Sequence, residues 1–260
     1  MLNKLFSYSL AFIPRPLLIR ISLFAQPLLR LLFKGDRYTD PIDKRSFRKL
    51  LPYGYRSQRQ NVLSPSTLSL ERHRLLWLYL ERHTSFLNST PEKRLSVLHV
   101  APEQCFYGRF NKLSHLEVVG FDQNSPLAEV KGDLRALPFE DERFDVVFCN
   151  HVLEHIADDL AAMKELYRVL KPGGWGIVQV PMKADLLETY EDPSITTAAE
   201  REKQFGQYDH VCWYGREDYF TRLEQAGFVT EALRVSELFT ADEIERFVLD
   251  IDEILPIIRR

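Results

Sequence analysis

The chain has 260 residues, of which 45% are hydrophobic and 27% are charged, a composition typical of a globular protein with one sizeable core. A formal net charge of −3 gives no support to a nucleic-acid partner, and we expect none. The three cysteines are far apart and form no CxxC pair, which indicates reduced thiols and a cytoplasmic protein.

The first segment, residues 1–35, is apolar and basic. It contains Lys4, Arg15, Arg20, Arg30 and Lys34 and no acid, so it carries +5 and the remainder of the chain carries −8. Because arginines and prolines interrupt the apolar run, it does not read as a membrane-spanning helix, which needs roughly 20 consecutive apolar residues. We expect two or three short amphipathic helices, starting after Pro16 and again near Pro27. They would cover the active site or a homodimer interface, lie on a membrane surface, or belong to a removed targeting peptide.

Residues 36–66 are polar and rich in turn residues, and they are predicted to be a linker or a packed loop that completes an N-terminal appendage of residues 1–66. Apolar residues then recur at helical spacing over residues 68–82, with Thr67 or Ser69 as the expected cap. Arg72 on this helix is either part of a solvated face or a contact for an acceptor substrate.

From residue 95 onward, short apolar runs alternate with helical patterns. Strands are predicted at 95–100, 117–121, 128–130, 143–149 and 175–180, and helices at 107–113 and 158–170. This alternation predicts a Rossmann-like, doubly wound α/β fold with a mostly parallel sheet, for which we expect seven strands. The domain is assigned to residues 67–260, with an insertion on the acceptor side at about 183–216. Ligands of such sheets bind beyond the carboxyl ends of the strands.

Two aspartates follow predicted strands at that edge. Asp122 and the adjoining Gln123 end the second strand, where a carboxylate can accept hydrogen bonds from both hydroxyls of a ribose. Asp133 could accept from an adenine amino group, and Leu134 could pack on the base. For each aspartate the alternative is a residue that caps a turn.

The first strand-to-helix turn, residues 101–108, contains a single glycine, at its end. A pyrophosphate fits poorly in so bulky a turn, and Glu103 would repel it. A carboxylate there suits the amino group of a methionyl moiety instead. The turn therefore favours S-adenosylmethionine (SAM) over NAD as the cofactor.

Two longer stretches carry a resemblance to a known family. Residues 143–155, RFDVVFCNHVLEH, and 166–174, LYRVLKPGG, resemble the fourth- and fifth-strand signatures of class I SAM-dependent methyltransferases with a type 11 domain, and the likeness covers about residues 95–182. A narrower bacterial subgroup is similar in more of the chain, namely in SLERHR (Ser69–Arg74), LHVAPE (Leu98–Glu103), EDPSIT (Glu191–Thr196) and FGQYDHVCWYG (Phe205–Gly215).

The resemblance implies a SAM pocket lined by Glu103, Asp122, Asp133 and Asn150. The neighbouring residues Ala101, Pro102, Gln123, Leu134 and His151 complete the candidate cofactor-binding set. The subgroup carries a CPxC pair shortly before SLERHR, suggestive of a zinc knuckle, whereas this chain has Ser64-Pro65-Ser66-Thr67. Because zinc needs several thiolate or imidazole ligands, we predict no metal there, and no metal site elsewhere.

The stretch from His151 to His155 also matches the HxxEH pattern of some zinc proteases. It follows a buried strand rather than lying on a long helix, and no third ligand stands out in the sequence. Glu154 and His155 could instead bond the backbone of the turn, or a histidine could lie beside the ligand or acceptor.

Methyl transfer from a sulfonium needs an oriented nucleophile and a base only for weakly acidic acceptors. The candidate catalytic residues, as bases or orienting groups, are His155, His210 and Tyr214. Candidate acceptor contacts are Tyr208, Trp213, Arg216 and Arg72. The alternatives are a packed insertion around residue 210 and an Arg216 that pairs only with Glu217 or Asp218.

Three functions follow from this reading. The first is SAM-dependent methylation of a small molecule, which yields S-adenosylhomocysteine. The second is a SAM-consuming cyclisation, in which the ligand's own amino group attacks its side chain and methylthioadenosine is released. The third is a membrane-docked protein without catalysis. The expected location is cytoplasmic, with or without peripheral membrane contact through residues 1–35.

Overall fold

The computed structural model describes residues 15–54, 58–88, 94–183 and 185–260, and the chain forms two compact units. The first unit comprises Met1–Asn88 and Val235–Glu253, and the second comprises Ser89–Arg234 and Ile254–Arg260. The division of the chain at residue 66 stays a prediction. The part of the N-terminal prediction that concerns residues 1–14 lies outside the described residues.

Among the described residues, the first unit begins with α1 (Arg15–Leu32), which is one continuous helix where the sequence predicted separate helices after Pro16 and near Pro27. Pro27 lies inside this helix and removes one backbone hydrogen bond without ending it. Arg30 donates to Gln26 within the same helix over 3.2 Å and to the carbonyl of Ser66 over 3.1 Å. These two contacts anchor the turn that contains the proline. Among the described helices, none is both long enough and apolar enough to cross a membrane.

The prediction of a linker or loop at residues 36–66 is wrong, because the segment forms two antiparallel hairpins. Strand β1 (Lys34–Asp40) pairs with β2 (Arg45–Phe47), and β3 (Leu51–Tyr53) pairs with β4 (Arg59–Leu63). Pro52 lies within β3, a position that a two-stranded edge tolerates but that lowers the strand signal in the sequence.

A buried carboxylate, that of Asp40, organises the chain before the next helix. Asp40 is 1% exposed, and its Oδ2 accepts hydrogen bonds from the hydroxyls of Ser66, Thr67 and Ser69 over 3.4, 2.5 and 3.3 Å. The sequence predicts that Thr67 or Ser69 caps the helix α2 (Glu71–His83), but both residues bind Asp40 instead. The cap residue is Leu70, whose amide donates to the ring of His73 over 3.0 Å.

Arg74 of α2 is fully buried and links three parts of the first unit. Its guanidinium donates to four backbone carbonyls, those of Val62, Ser69, Phe247 and Val248, over 2.6 to 2.9 Å. Two short helices, α7 (Val235–Leu238) and α8 (Ala241–Phe247), follow the second unit in the chain, and the last two carbonyls belong to the end of α8.

The second unit is built on a six-stranded sheet with helices on both faces. Its elements are β5 (Leu95–Val100), α3 (Gln104–Phe110), β6 (Leu116–Phe121), β7 (Phe144–Cys149), α4 (Asp159–Val169), β8 (Leu170–Ile177), β9 (Met182–Lys183), β10 (Tyr190–Glu191), α5 (Ala198–Phe205), β11 (Cys212–Gly215), α6 (Arg216–Gln225), β12 (Val229–Arg234) and β13 (Ile254–Arg259). The sheet order is β12-β13-β8-β7-β5-β6, with only β13 antiparallel to its neighbours.

This topology confirms the predicted Rossmann-like, mostly parallel α/β fold. The sheet has six strands instead of seven, because the predicted strand at 128–130 contributes one bridge, from Val130 to Phe121. The predicted strand at 175–180 begins earlier, at Leu170, and Pro172-Gly173-Gly174 forms an irregularity within it. The helix predicted at 107–113 likewise begins earlier, at Gln104.

Alternate residues of the central strands face opposite layers of the second unit. On one face, the rings of His99 and Phe148 pack against Phe110 of α3 at centroid distances of 5.8 Å. On the other face, strand residues such as Val147 belong to one buried cluster with Leu166 of α4 and Leu223 of α6. The carboxyl ends of β5, β6, β7 and β8 therefore meet at one edge of the sheet.

Candidate functional site

A carboxylate lies where the two central strands end. Glu103, at the start of α3, accepts a 3.1 Å hydrogen bond from Nδ2 of Asn150, the first residue after β7. Its other oxygen pairs with Nε2 of His99, a fully buried residue of β5. Asn150 Oδ1 in turn accepts from the amide of Gln179 after β8 over 3.2 Å. Two side chains thus fix the position of one carboxylate, and the backbone of a third strand end holds one of them.

The backbone at these strand ends is strained. Ala101 and His151, the residues that follow β5 and almost directly follow β7, have φ angles of 48° and 54° although neither is glycine. Such conformations cost on the order of 1–3 kcal/mol each and cluster at binding sites, where they direct side chains. The amide of Ala101 is held by the carbonyl of Phe121 over 2.8 Å, and that of His151 by the carbonyl of Gln179 over 2.7 Å.

Asp122 is half-buried at the end of β6 and caps the turn that follows. Its Oδ1 accepts from the amide of Asn124 over 2.6 Å and from the amide of Ser125. The turn-capping alternative is therefore present. Both of these bonds use the same oxygen, so the capping role and a role toward a ligand at Oδ2 are compatible.

The carboxylate of Asp133, which is predicted to accept from an adenine amino group, is already paired within its own loop. Its exposed carboxylate forms a two-pronged ion pair with Arg135, at 2.6 and 3.1 Å, and caps the amide of the same residue over 2.9 Å. The hydrogen bonds from Arg135 hold the pKa of Asp133 below its ordinary range. Leu134 and Pro102 are buried, while Gln123 is exposed.

Two of the predicted catalytic residues lie together. The rings of His155 and His210 meet edge to face with centroids 4.8 Å apart, although the two residues are far apart in the sequence. Glu154 lies beside them and is 1% exposed at its side chain. His210, in the loop after α5, thus lies close to the two last residues of the HxxEH pattern and offers a third metal-binding side chain. The sequence did not indicate this proximity.

The third predicted catalytic residue, Tyr214, is in the core. It is fully buried, and its hydroxyl donates to Asp159 over 2.7 Å. Arg222 pairs with the same carboxylate over 3.1 Å. Burial raises the pKa of the Tyr214 hydroxyl well above its ordinary value, with Cys212 and Asp159 as further causes. This geometry gives Tyr214 a structural role, in contrast to the expectation that it orients an acceptor.

The predicted acceptor contacts are dispersed. Tyr208 is 61% exposed, and the indole of Trp213 donates to the carbonyl of Gln204 over 3.0 Å. Arg216 is half-buried, and within the described residues its Nε is buried without a hydrogen-bond partner, while Asp218 pairs with Arg222 instead. Arg72 belongs to the first compact unit.

Sequence reasoning missed two residues of the strand-end cluster. His99 is a polar residue in the otherwise apolar run LSVLHV, four positions before Glu103, and that contrast was a usable signal. Gln179 follows β8, a strand end that was left out because the predicted strand extended to residue 180.

Comparison with known proteins finds similar methyltransferase domains. Residues 109–178 match the family model described as a methyltransferase domain. This range contains both stretches on which the resemblance rests, so the likeness to class I methyltransferases is confirmed, and the narrower subgroup stays a prediction. The chain is also 29% identical over 132 residues to demethylmenaquinone methyltransferase of Staphylococcus aureus (strain JH9), a match that covers 45% of this chain and 54% of that one. The chain thus spans about half the length of the curated relatives it matches.

Solved structures include similar chains. A SAM-dependent methyltransferase from Mesorhizobium loti has 15% sequence identity and a TM-score of 0.45, with 71% of this chain and 97% of that chain covered. One from Archaeoglobus fulgidus has 19% identity and a TM-score of 0.42, with 72% and 93% covered.

Proposed function

We propose that the second compact unit binds SAM at the carboxyl ends of β5, β6 and β7 and transfers its methyl group to a small molecule. The observation that carries the proposal is the half-buried Glu103 carboxylate, held by His99 and Asn150 at the edge where such sheets bind ligands. The methyltransferase-domain match over residues 109–178 supports it.

The strand-end residues divide the cofactor among them. Glu103 attracts the cationic amino group of the methionyl moiety, since a fixed carboxylate favours a positive partner in a partly desolvated site. Asp122 accepts from the ribose hydroxyls through Oδ2, because its Oδ1 holds the turn. The same pocket is bordered by Ala101, Pro102, Gln123, Leu134, Asn150 and His151. Asp133 joins them when its carboxylate is released from the ion pair with Arg135.

The acceptor enters beside the loops that follow β7 and α5. His155 and His210 lie there together and can orient an acceptor or take its proton. Tyr208, Trp213 and Arg216 belong to the same acceptor-side segment, and the buried Nε of Arg216 suits an anionic group on the acceptor. Since the matched relative is named for demethylmenaquinone, a quinone reduced to its nucleophilic hydroquinone form is the first acceptor to try.

Binding of SAM to the full chain tests the cofactor half of the proposal. Calorimetry should show binding to the wild type and at least about a tenfold weaker affinity for Glu103→Gln, because the variant loses a charge-assisted contact worth about 1.5–3 kcal/mol. Glu231→Gln is the matched control and should leave the affinity unchanged. Glu231 lies on β12 and forms only an exposed ion pair with Arg259 of β13. Absence of SAM binding by the wild type refutes the proposal and favours a non-catalytic protein.

The product identifies the chemistry. Incubation with SAM and a panel of small acceptors, followed by mass spectrometry, should give S-adenosylhomocysteine and an acceptor heavier by one methylene. If methylthioadenosine is released without any acceptor, methyl transfer is refuted and the intramolecular cyclisation is favoured.

A second proposal concerns α1 of the first unit, which we assign to contact with an anionic membrane surface. Leu17, Ile21, Phe24, Leu28 and Leu31 recur every three or four residues and are all exposed, with Phe24 at 90%. Residues 1–35 also carry +5, which complements anionic lipid headgroups. An apolar stripe within a basic segment fits the surface of a membrane rather than a span across it.

Vesicle flotation tests this contact. The full chain should float with vesicles that contain phosphatidylglycerol, less so with pure phosphatidylcholine, and Phe24→Glu should reduce the bound fraction several-fold. Ile251→Glu, which changes another exposed apolar residue of the first unit, should bind as the wild type does. If instead light scattering shows a homodimer that Phe24→Glu dissociates, or if no vesicle binds the chain, the stripe serves a different purpose.

A further inference from the structure

Three side chains with metal-binding atoms converge beside the strand-end cluster. Glu154, His155 and His210 each offer one ligand atom, and these atoms all lie within 4.8 Å of one another. Two imidazoles and one carboxylate form a donor set that divalent zinc and cobalt accept readily, and sites with three protein ligands leave a further position for water or substrate.

The local fold brings the three residues together. Glu154 and His155 lie on the short 3₁₀ turn Leu153–His155 after β7. Helix α5 ends at Gly206, whose φ of 77° turns the chain toward the loop that carries His210. The carbonyl of Glu154 accepts from the amide of Val211 over 2.9 Å, so the backbones of the two loops are joined next to the side chains.

Two atoms of the cluster are buried and lack a hydrogen-bond partner among the residues that the structure describes. They are Oε2 of Glu154 and Nδ1 of His210, on side chains that are 1% and 7% exposed as residues. Buried polar atoms are rarely left without a partner, so two of them in one cluster point to a ligand that bonds both.

The outer face of one imidazole is held as in many metal-binding histidines. Nδ1 of His155 lies 3.2 Å from the carbonyl and 3.5 Å from Oδ2 of Asp209, which leaves Nε2 for a ligand. Such an outer contact selects the tautomer and orients the ring toward a metal.

We propose that Glu154, His155 and His210 bind one divalent transition-metal ion of the zinc or cobalt type, with an open coordination position. In tetrahedral zinc sites with bonds of 2.0–2.1 Å the ligand atoms are about 3.3 Å apart, so side-chain rotations alone close the cluster around an ion. The sequence predicts no metal, because it shows two imidazoles and no third ligand. SAM binding at Glu103 and Asp122 does not depend on this ion, whereas a metal-bound His155 or His210 can orient an acceptor only through the ion and no longer takes its proton.

The test uses the full chain after removal of metals with a chelator. Titration with CoCl₂ should give one equivalent bound and the intense visible bands of cobalt in a low-coordinate site, a readout that needs neither SAM nor turnover. Calorimetry with ZnCl₂ should show about one hundredfold weaker binding for His155→Ala and His210→Ala, since each variant removes one of three ligands. His83→Ala is the matched control, because His83 lies on α2 in the first unit and should leave metal affinity unchanged.

Glu154→Gln provides a third variant that keeps the size of the side chain, and circular dichroism checks that each variant is folded. The proposal is wrong if the wild type gives no low-coordinate cobalt spectrum, or if the affinity of the histidine variants for zinc equals that of His83→Ala. In that event the cluster is a hydrogen-bonded histidine pair. Because SAM binding is measured separately on the metal-free protein, a failure here leaves the proposed function untouched.

Discussion

Arg74 offers the largest single effect that the structure implies. Replacement of Arg74 by Met keeps the length of the buried side chain and removes all four hydrogen bonds to carbonyls. Hydrogen bonds to a charged group contribute about 1.5–3 kcal/mol each, and relaxation recovers part of that loss. We expect Arg74→Met to lower the free energy of unfolding of the first unit by at least about 4 kcal/mol.

The matched control is Arg59→Met, which removes a 2.8 Å ion pair between an exposed Arg59 and Glu71. Exposed ion pairs contribute about 0–1 kcal/mol, so this variant should be nearly neutral. Urea unfolding followed by circular dichroism measures the stability of both variants. Amide hydrogen exchange should rise in the segments 62–70 and 241–249 of Arg74→Met, whose carbonyls lose their donor. Equal stability of the two variants would refute the reasoning.

Two further predictions concern titration and the core of the second unit. Burial, with Asp250 and Glu71 nearby, raises the pKa of Glu253 to about 7 from an ordinary 4.5, while Arg72 and Arg59 lower it. The folded chain therefore holds this proton up to a higher pH than the unfolded chain, so the stabilisation present below pH 4.5 is lost as pH rises to about 7. Because Glu253 is half-buried, the full shift is discounted, and urea unfolding should show a loss of about 1–2 kcal/mol over this range that Glu253→Gln lacks. Tyr214→Phe should cost about 1–2 kcal/mol in thermal unfolding, since Asp159 loses a buried donor. The exposed Tyr208→Phe should change stability by less than about 0.5 kcal/mol, and equal effects would mean that the Asp159 bond contributes nothing.

The parts of the fold that follow from the sequence are those with long, regular patterns. The apolar run of β7 and the helix α4 were predicted within a few residues, because buried parallel strands and amphipathic helices leave a clear periodicity. The hairpins at 34–63 were missed, since strands of three to seven residues with prolines and charges resemble a loop.

The candidate site was predicted where it depends on strand ends and missed where it depends on distant contacts. Glu103 and Asn150 follow strands, and the topology rule selected them directly. Their partner His99 faces a helix layer that the pattern cannot assign. The convergence of His210 with His155 depends on a loop conformation after α5, which no local pattern contains.

The hydroxyl cage around Asp40 joins β1 to the segment just before α2. All three cysteines of this chain belong to the second unit, so the segment before α2 is closed by oxygen atoms alone. Oxidants act on thiolates and chelators act on bound metals, so hydroxyl-to-carboxylate bonds are affected by neither. The stability of this segment should therefore be the same in reducing and oxidising buffers, and with or without a chelator.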